Sequence, residues 1–288
     1  MRSGIHLWNY TTPGPSSDIA SLVTRTAQVA EAGGFDQFTV MDHWFQMEAA
    51  GPAEQPMLEA FTTLGFVAGQ TSRMRLGPLV AGVTYRHPAL LAKIATTLDV
   101  LSGGRAVFGL GAAWYEREHH GLGVPYPAIS ERFERLEEAL QIALQMWGPD
   151  AAAYEGTHYS LAETLNSPAP VGHPHPPIMI GGKGERKTLR IAAQYAQIVN
   201  LTAYEPETVA HLLDVLRRHC DTLGTDYDAI EKQIITTRLD PTGAEYWRMA
   251  EEWSRLGIDL VVMGVRPNDQ VGSTERLAAE VVPRLAEL

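Results

Sequence analysis

The sequence holds a single cysteine, Cys220, among 288 residues. No intrachain disulfide can form, and no Cys-x-x-Cys zinc site exists. Positive charge is also scarce. Lys and Arg number 23 against 34 Asp and Glu, a formal net charge of −11, which argues against a general nucleic-acid or anionic-membrane binder. No apolar run reaches the roughly 18 residues of a transmembrane helix. The first residues, Met1-Arg2-Ser3-Gly4-Ile5-His6, lack the apolar stretch of a signal peptide. The expectation is a soluble cytoplasmic protein. No Gly-x-Ser-x-Gly motif, Walker A sequence, internal repeat or low-complexity tract is present.

What is present is alternation. Short apolar runs at 4–8, 37–41, 75–81, 106–110, 177–180, 197–201, 234–239 and 260–265 are rich in β-branched or aromatic residues and bounded by Gly, Pro or polar residues. They read as buried parallel strands. Between them lie segments of helical period: 18–32, 58–71, 89–102, 130–147, 185–195, 207–223, 244–256 and 274–288. Ser17-Asp18 offers an N-cap and Gly33-Gly34 a stop for the first helix; Pro88 opens the third and Gly103-Gly104 closes it. Strict strand–helix alternation predicts a parallel sheet with helical crossovers. Eight repeats in fewer than 300 residues favour an α/β fold of the (β/α)8 TIM-barrel type over a doubly wound sheet. The whole chain, 1–288, reads as one barrel domain with an insertion at 148–176, before the fifth strand. A second long stretch, 42–57, follows the second strand. Loops of this length are usually functional or mobile.

In such a barrel the active site lies at the C-terminal strand ends. The second strand ends in Asp42-His43-Trp44, the third leads into Thr84-Tyr85-Arg86-His87-Pro88, and the fourth ends in Gly109-Leu110-Gly111-Ala112-Ala113-Trp114. Asp42-His43 reads as an acid/base or orienting pair, or as a helix-capping Asp beside a structural His. After the fifth strand, Gly181-Gly182-Lys183-Gly184 with Arg186 nearby suits an anion at a helix start, or is an ordinary tight turn. Glu116, His119 and His120 are spaced i, i+3 and i+4, but in a polar loop where exposure is expected. His173 and His175 flank Pro174. Neither group makes a convincing set of three or four convergent ligands, so no catalytic metal is expected. Met57, Met74, Met146 and Met179 read as core filler and Cys220 as buried.

In chain order these pieces resemble the luciferase-like monooxygenase superfamily, in particular its branch that uses the deazaflavin F420. The most telling stretch runs from Gly77-Pro78-Leu79-Val80 through Thr84-Tyr85-Arg86-His87-Pro88, then Ser102-Gly103-Gly104-Arg105, to Gly109-Leu110-Gly111. The resemblance covers nearly the whole chain. It implies a barrel holding F420 or FMN at its C-terminal end, with a non-proline cis peptide at Leu79–Val80 pressing on the ring from behind. It implies that Asp42 contacts the ring system and that His43 lies near the reacting carbon. Leu79, Val80, Gly82, Ala112 and Ala113 would also border the cofactor. Gly181 and Gly182, with Lys183, Gly184 and Arg186, would hold the ribityl phosphate. A homodimer through the helices after the second and third strands is implied too. Two positions depart from the pattern. Relatives acting on sugar phosphates and alcohols carry an acid where this chain has Trp114, and Gln197-Ile198 stands where Asp-Gly is commoner.

The resulting expectation is an F420-dependent oxidoreductase passing a hydride between the deazaflavin and a small carbonyl, imine or enone. His43 would handle the proton, with no obvious local competitor for it. Trp44 and Trp114 would wall an apolar substrate pocket. The competing readings are an FMN-dependent monooxygenase of the same fold, a non-catalytic cofactor-binding protein and a metal-dependent barrel hydrolase.

Overall fold

The apolar runs form strands because each is buried on both faces, which β-branched and aromatic side chains tolerate well. The computed structural model describes residues 1–237 and 239–288. Its strands and helices, in chain order, are β1 (Arg2–Leu7), α1 (Asp18–Ala32), β2 (Gln37–Val40), α2 (Ala60–Ala68), β3 (Arg75–Pro78), β4 (Ala81–Gly82), α3 (Pro88–Ser102), β5 (Phe108–Gly111), α4 (Glu116–Leu122) and α5 (Ile129–Trp147). The hairpin β6 (Tyr154–Glu155) and β7 (Ser160–Leu161) follows. Then come β8 (Ile178–Gly181), α6 (Thr188–Tyr195), β9 (Ile198–Leu201), α7 (Pro206–Leu223), β10 (Glu231–Thr236), α8 (Ala244–Arg255), β11 (Leu260–Gly264), α9 (Gln270–Glu280) and α10 (Val282–Ala286).

The main sheet runs β3-β2-β1-β11-β10-β9-β8-β5-β4, all parallel. A bridge between Leu76 and Ala106 joins its ends, with Leu76 N donating to Arg105 O and Val107 N to Leu76 O, each at 2.8 Å. The sheet is therefore a near-closed barrel with helices around it, as the alternation predicts. No helix among the described residues is long and apolar enough to cross a membrane.

The differences from expectation have local causes. The third strand, expected to run unbroken over 75–81, splits into β3 and β4 around Leu79 and Val80, whose peptide bond is cis. Pro78 ends β3, where its missing N–H costs no ladder bond. β5 runs close to this segment: a Cβ on Gly109 would collide with Pro78 O, so the Gly-x-Gly pattern there reflects backbone crowding. The second helix starts at Ala60 because the Glu59 side chain accepts from Phe61 N (3.2 Å) and Thr62 N (2.6 Å). Residues 116–122 form α4 where a loop was expected. The C-terminal helix divides into α9 and α10 at Val281, with Pro283 in the first turn of the second piece. The seventh strand starts three residues early, at Glu231, and ends at Thr236. Of its expected 234–239 extent, Arg238 lies outside the described residues. The insertion carries the β6–β7 hairpin, pinned to α5 by Glu138, which accepts from Thr157 N (2.8 Å) and from His158 N and Tyr159 N (3.1 Å each).

Candidate active site

The C-terminal strand ends open into a cavity of about 650 Å³, within the usual range for small-molecule sites. Its wall is built from most of the barrel strands. It includes His6 and Trp8, Met41 to His43, Leu79 to Gly82, Gly111 to Trp114, Gly181 and Gly182, Asn200 and Thr202, and Ile235 and Thr237. Met47, Ala49 and Ala50 of the long loop after β2 close one side.

Val80 projects across the mouth. A Cβ on Gly111 would lie 2.8 Å from Val80 Cγ2, and one on Gly181 2.8 Å from Val80 Cγ1. Both distances are shorter than real contacts allow. The two strand-end glycines therefore give Val80 the room that side chains of their own would fill.

His43 is one of the titratable side chains on this wall. Its Nδ1 lies 2.7 Å from Glu118 Oε1. An ionised carboxylate can only accept, so Nδ1 carries the proton and Nε2 is the nitrogen left for a ligand. The Glu118 side chain is fully buried and also accepts from Trp44 N (2.7 Å), Phe45 N (3.2 Å) and the Tyr85 hydroxyl. Desolvation opposes its ionisation, but the bonds from His43, Tyr85 and Trp44 N outweigh it and hold the carboxyl below the usual glutamate range. Burial, with the Glu118 charge, pushes the Tyr85 phenol up. It stays a neutral donor.

Asp42 sits beside this group, almost wholly buried. Arg86 clasps it in bidentate fashion, Nη1 to Oδ2 at 2.7 Å and Nη2 to Oδ1 at 2.9 Å, and Gly82 N adds a bond at 3.3 Å. Desolvation raises the carboxyl, and the bonds and charge of Arg86 act against it. Arg86 in turn bonds Glu59 and lies over the rings of Trp44 and Phe61 at 5.2 and 5.1 Å. The Arg-His-Pro turn is thus the counter-charge that allows an aspartate to be buried here.

His6 contributes from β1. Its Nδ1 is 2.9 Å from Thr39 Oγ1, whose hydroxyl donates to Ile5 O at 3.0 Å. The hydroxyl proton is spent, so His6 donates from Nδ1 and keeps Nε2 as an acceptor. Burial, helped by the nearby His43 charge, lowers its pKa to about 3. An unfolded His binds a proton below about 6.5. Over the window from about 3 to about 6.5 the unfolded chain therefore holds more protons than the fold. Stability should fall on acidification through that window, by up to about 1.4 kcal/mol per pH unit from this residue. Urea midpoints at several pH values test this: His6→Gln should flatten the slope, and an unchanged slope would mean that His6 is protonated in the fold.

A model of the luciferase-like monooxygenase family matches residues 1–279. The chain belongs to this family. The F420-dependent glucose-6-phosphate dehydrogenase of Microbacterium testaceum is 33% identical to it over 184 residues, 62% of this chain and 52% of the dehydrogenase. The chain thus spans about half the length of that relative. Among solved structures, the F420-dependent tetrahydromethanopterin reductase of Methanopyrus kandleri superposes with a TM-score of 0.78 at 18% identity, covering 99% of both chains. The monooxygenase RslO1 of Streptomyces bottropensis does so with a TM-score of 0.79 at 20% identity, again over 99% of each.

For this luciferase-like chain, the cavity wall brings together Asp42, His43, Leu79, Val80, Gly82, Ala112, Ala113, Trp114, Gly181 and Gly182. Four expected residues are not on that wall. Trp44 turns away from it, because its amide and that of Phe45 point to Glu118 and its ring packs edge-on to Tyr85 at 5.9 Å. Lys183, Gly184 and Arg186 face solvent in the turn before α6. Nor is the Gly182 amide free for an anion: it donates to Asn200 O at 3.0 Å. From this turn and the helix it leads into, Thr188 joins Gly181 and Gly182 on the wall.

The main correction concerns the acid. His43 has a carboxylate partner in Glu118, from the segment expected to be an exposed loop. Tyr115, Glu118 and His119 are buried together. Their i, i+3, i+4 spacing was the available signal. His119 is spent internally, between Tyr115 O (2.7 Å) and Thr84 Oγ1 (2.6 Å), while His120 is exposed. No group of three or more His, Cys, Asp or Glu among the described residues could hold a metal.

Proposed function

We propose that the protein is an F420-dependent oxidoreductase acting on a small carbonyl, imine or enone. The observation that carries the reading is the His43–Glu118 pair on the wall of the barrel-mouth cavity. The F420-dependent relatives support the choice of cofactor.

The residues present suit a flat ring system. Val80 gives the mouth an apolar shelf, and a buried amide oxygen on Asn200 has no partner among the described residues. Leu79 and Val80 would back the ring, Ala112 and Ala113 would border it, and Gly181, Gly182 and Thr188 would lie toward its ribityl phosphate. When bound, the deazaflavin supplies or accepts a hydride.

This chain's own residues handle the rest. Glu118 fixes the His43 tautomer through Nδ1 and aims Nε2 at the cavity, so Nε2 can deliver a proton to a substrate oxygen or nitrogen or remove one from it. Trp114, 57% exposed and stacked on Tyr115 at 5.2 Å, forms an apolar rim able to shed water when a substrate covers it. The reading includes a homodimer through α2 and α3, where Phe66 and Leu90 are exposed.

Separate titrations with F420 and FMN test the proposal, followed by reduced F420 against a carbonyl, imine and enone panel. Saturable binding of F420 and oxidation of its reduced form by a panel member are expected. Tight binding of FMN alone, with flavin absorption bands and oxygen consumption, would assign the monooxygenase reaction instead.

A further inference from the structure

The Asn200 side chain is completely buried at the end of β9, on the wall of the main cavity. Its Nδ2 donates to Gln233 Oε1 at 3.3 Å, and its Oδ1 has no hydrogen-bond partner among the described residues. Which end of the amide faces which way is decided from below. Glu231 Oε1 lies 2.6 Å from Gln233 Nε2, and an ionised carboxylate accepts only. Gln37 Oε1 takes a second bond from the same nitrogen at 2.9 Å. Gln233 therefore presents its nitrogen to Glu231 and its oxygen to Asn200, and Asn200 must answer with its nitrogen. The atom left over is an acceptor.

Glu231 is itself held ionised at the closed end of the barrel. Arg75 reaches it with two bonds of 3.0 Å, and Arg2 Nη2 lies 2.7 Å away. Burial opposes this charge, and the two arginines overcome it. A chain of fixed polarity thus runs through the barrel core from Arg75 to Glu231 to Gln233 to Asn200.

We propose that Asn200 Oδ1 receives the imide N–H of the bound ring, and that Glu231, acting through Gln233, keeps that oxygen turned toward the cavity. The assignment rests on the proposed cofactor reading. It makes Asn200 a binding residue and Gln233 and Glu231 positioning residues. The imide edge is common to F420 and FMN, so the assignment does not depend on which of the two is bound.

The test is a fluorescence titration of the protein with F420 and with F420 methylated at the imide nitrogen. FMN and 3-methyl-FMN replace them if FMN is the ring bound. Methylation should weaken binding to the wild type at least tenfold. Asn200→Leu should bind the parent compound about tenfold more weakly and discriminate less than twofold between the pair. Gln233→Met leaves Asn200 in place and should still lose most of the discrimination, a readout that a merely structural role would not move. Glu231→Gln, able to donate or accept, should fall between. Equal wild-type binding of parent and methylated ring overturns the assignment and leaves the cofactor reading standing. Failure of the wild type to bind either parent ring overturns both. The wild-type comparison needs no variant, so a variant that fails to fold cannot hide the answer.

Discussion

His43→Ala is expected to bind the cofactor within a few fold of the wild type and to lose a hundredfold or more of turnover. A positioned imidazole typically contributes about 10²–10⁴ in rate as a general acid or base. The structure gives reasons to expect the full effect. His43 stands on the cavity wall, its Nδ1 is tied to Glu118 at 2.7 Å, and only Nε2 remains for substrate. The other wall histidine cannot replace it as an acid, because burial keeps His6 neutral down to about pH 3. Cofactor affinity should survive because Val80, Gly111, Gly181 and Asn200 are untouched. A fluorescence titration and a steady-state assay on the folded variant separate the two quantities. Full turnover in His43→Ala would mean that the proton comes from solvent or from the substrate, and would leave His43 as a structural partner of Glu118.

Arg86→Met should destabilise the protein by about 3–5 kcal/mol, the usual cost of leaving one charge of a buried pair without its partner. The Asp42 side chain is 1% exposed and that of Arg86 10%. Both guanidinium bonds to Asp42 disappear, and Glu59 loses its partner as well. Adding Asp42→Asn to the same chain should recover a substantial part of the loss, since the uncompensated charge is then gone. Urea unfolding of the two variants measures both. A single change costing under about 1 kcal/mol would mean that Asp42 takes up a proton, or that water reaches it, once Arg86 is removed.

The barrel was legible because eight apolar runs alternate with helical segments, a pattern that depends only on burial and period. The split of the third strand around Leu79 and Val80 was legible only through the family resemblance, since nothing in local hydropathy separates 75–78 from 81–82. α4 was missed for a different reason. Its sequence, Glu-Arg-Glu-His-His-Gly-Leu, is polar on every face, and its inward side is marked by Glu118 and His119, which are buried because they are hydrogen-bonded. A reading based on apolar periodicity passes over such a helix. His6 and Asn200 were hidden in the same way, inside strands where polar residues count as noise. Trp44 was misplaced because adjacency to His43 suggested a shared surface. In fact the chain turns there to aim two amides at Glu118.

The fit of Val80 between Gly111 and Gly181 also bears on how this mouth can change over evolutionary time. The ends of two strands and the break between β3 and β4 share one volume, so none of the three positions can drift alone. A larger residue at 111 or 181 requires a smaller one at 80, and a smaller residue at 80 leaves space that either neighbour can take. Depth at the centre of the mouth is therefore adjusted by paired exchanges within this trio, while Trp114 and the loop carrying Met47 remain free to vary the rim.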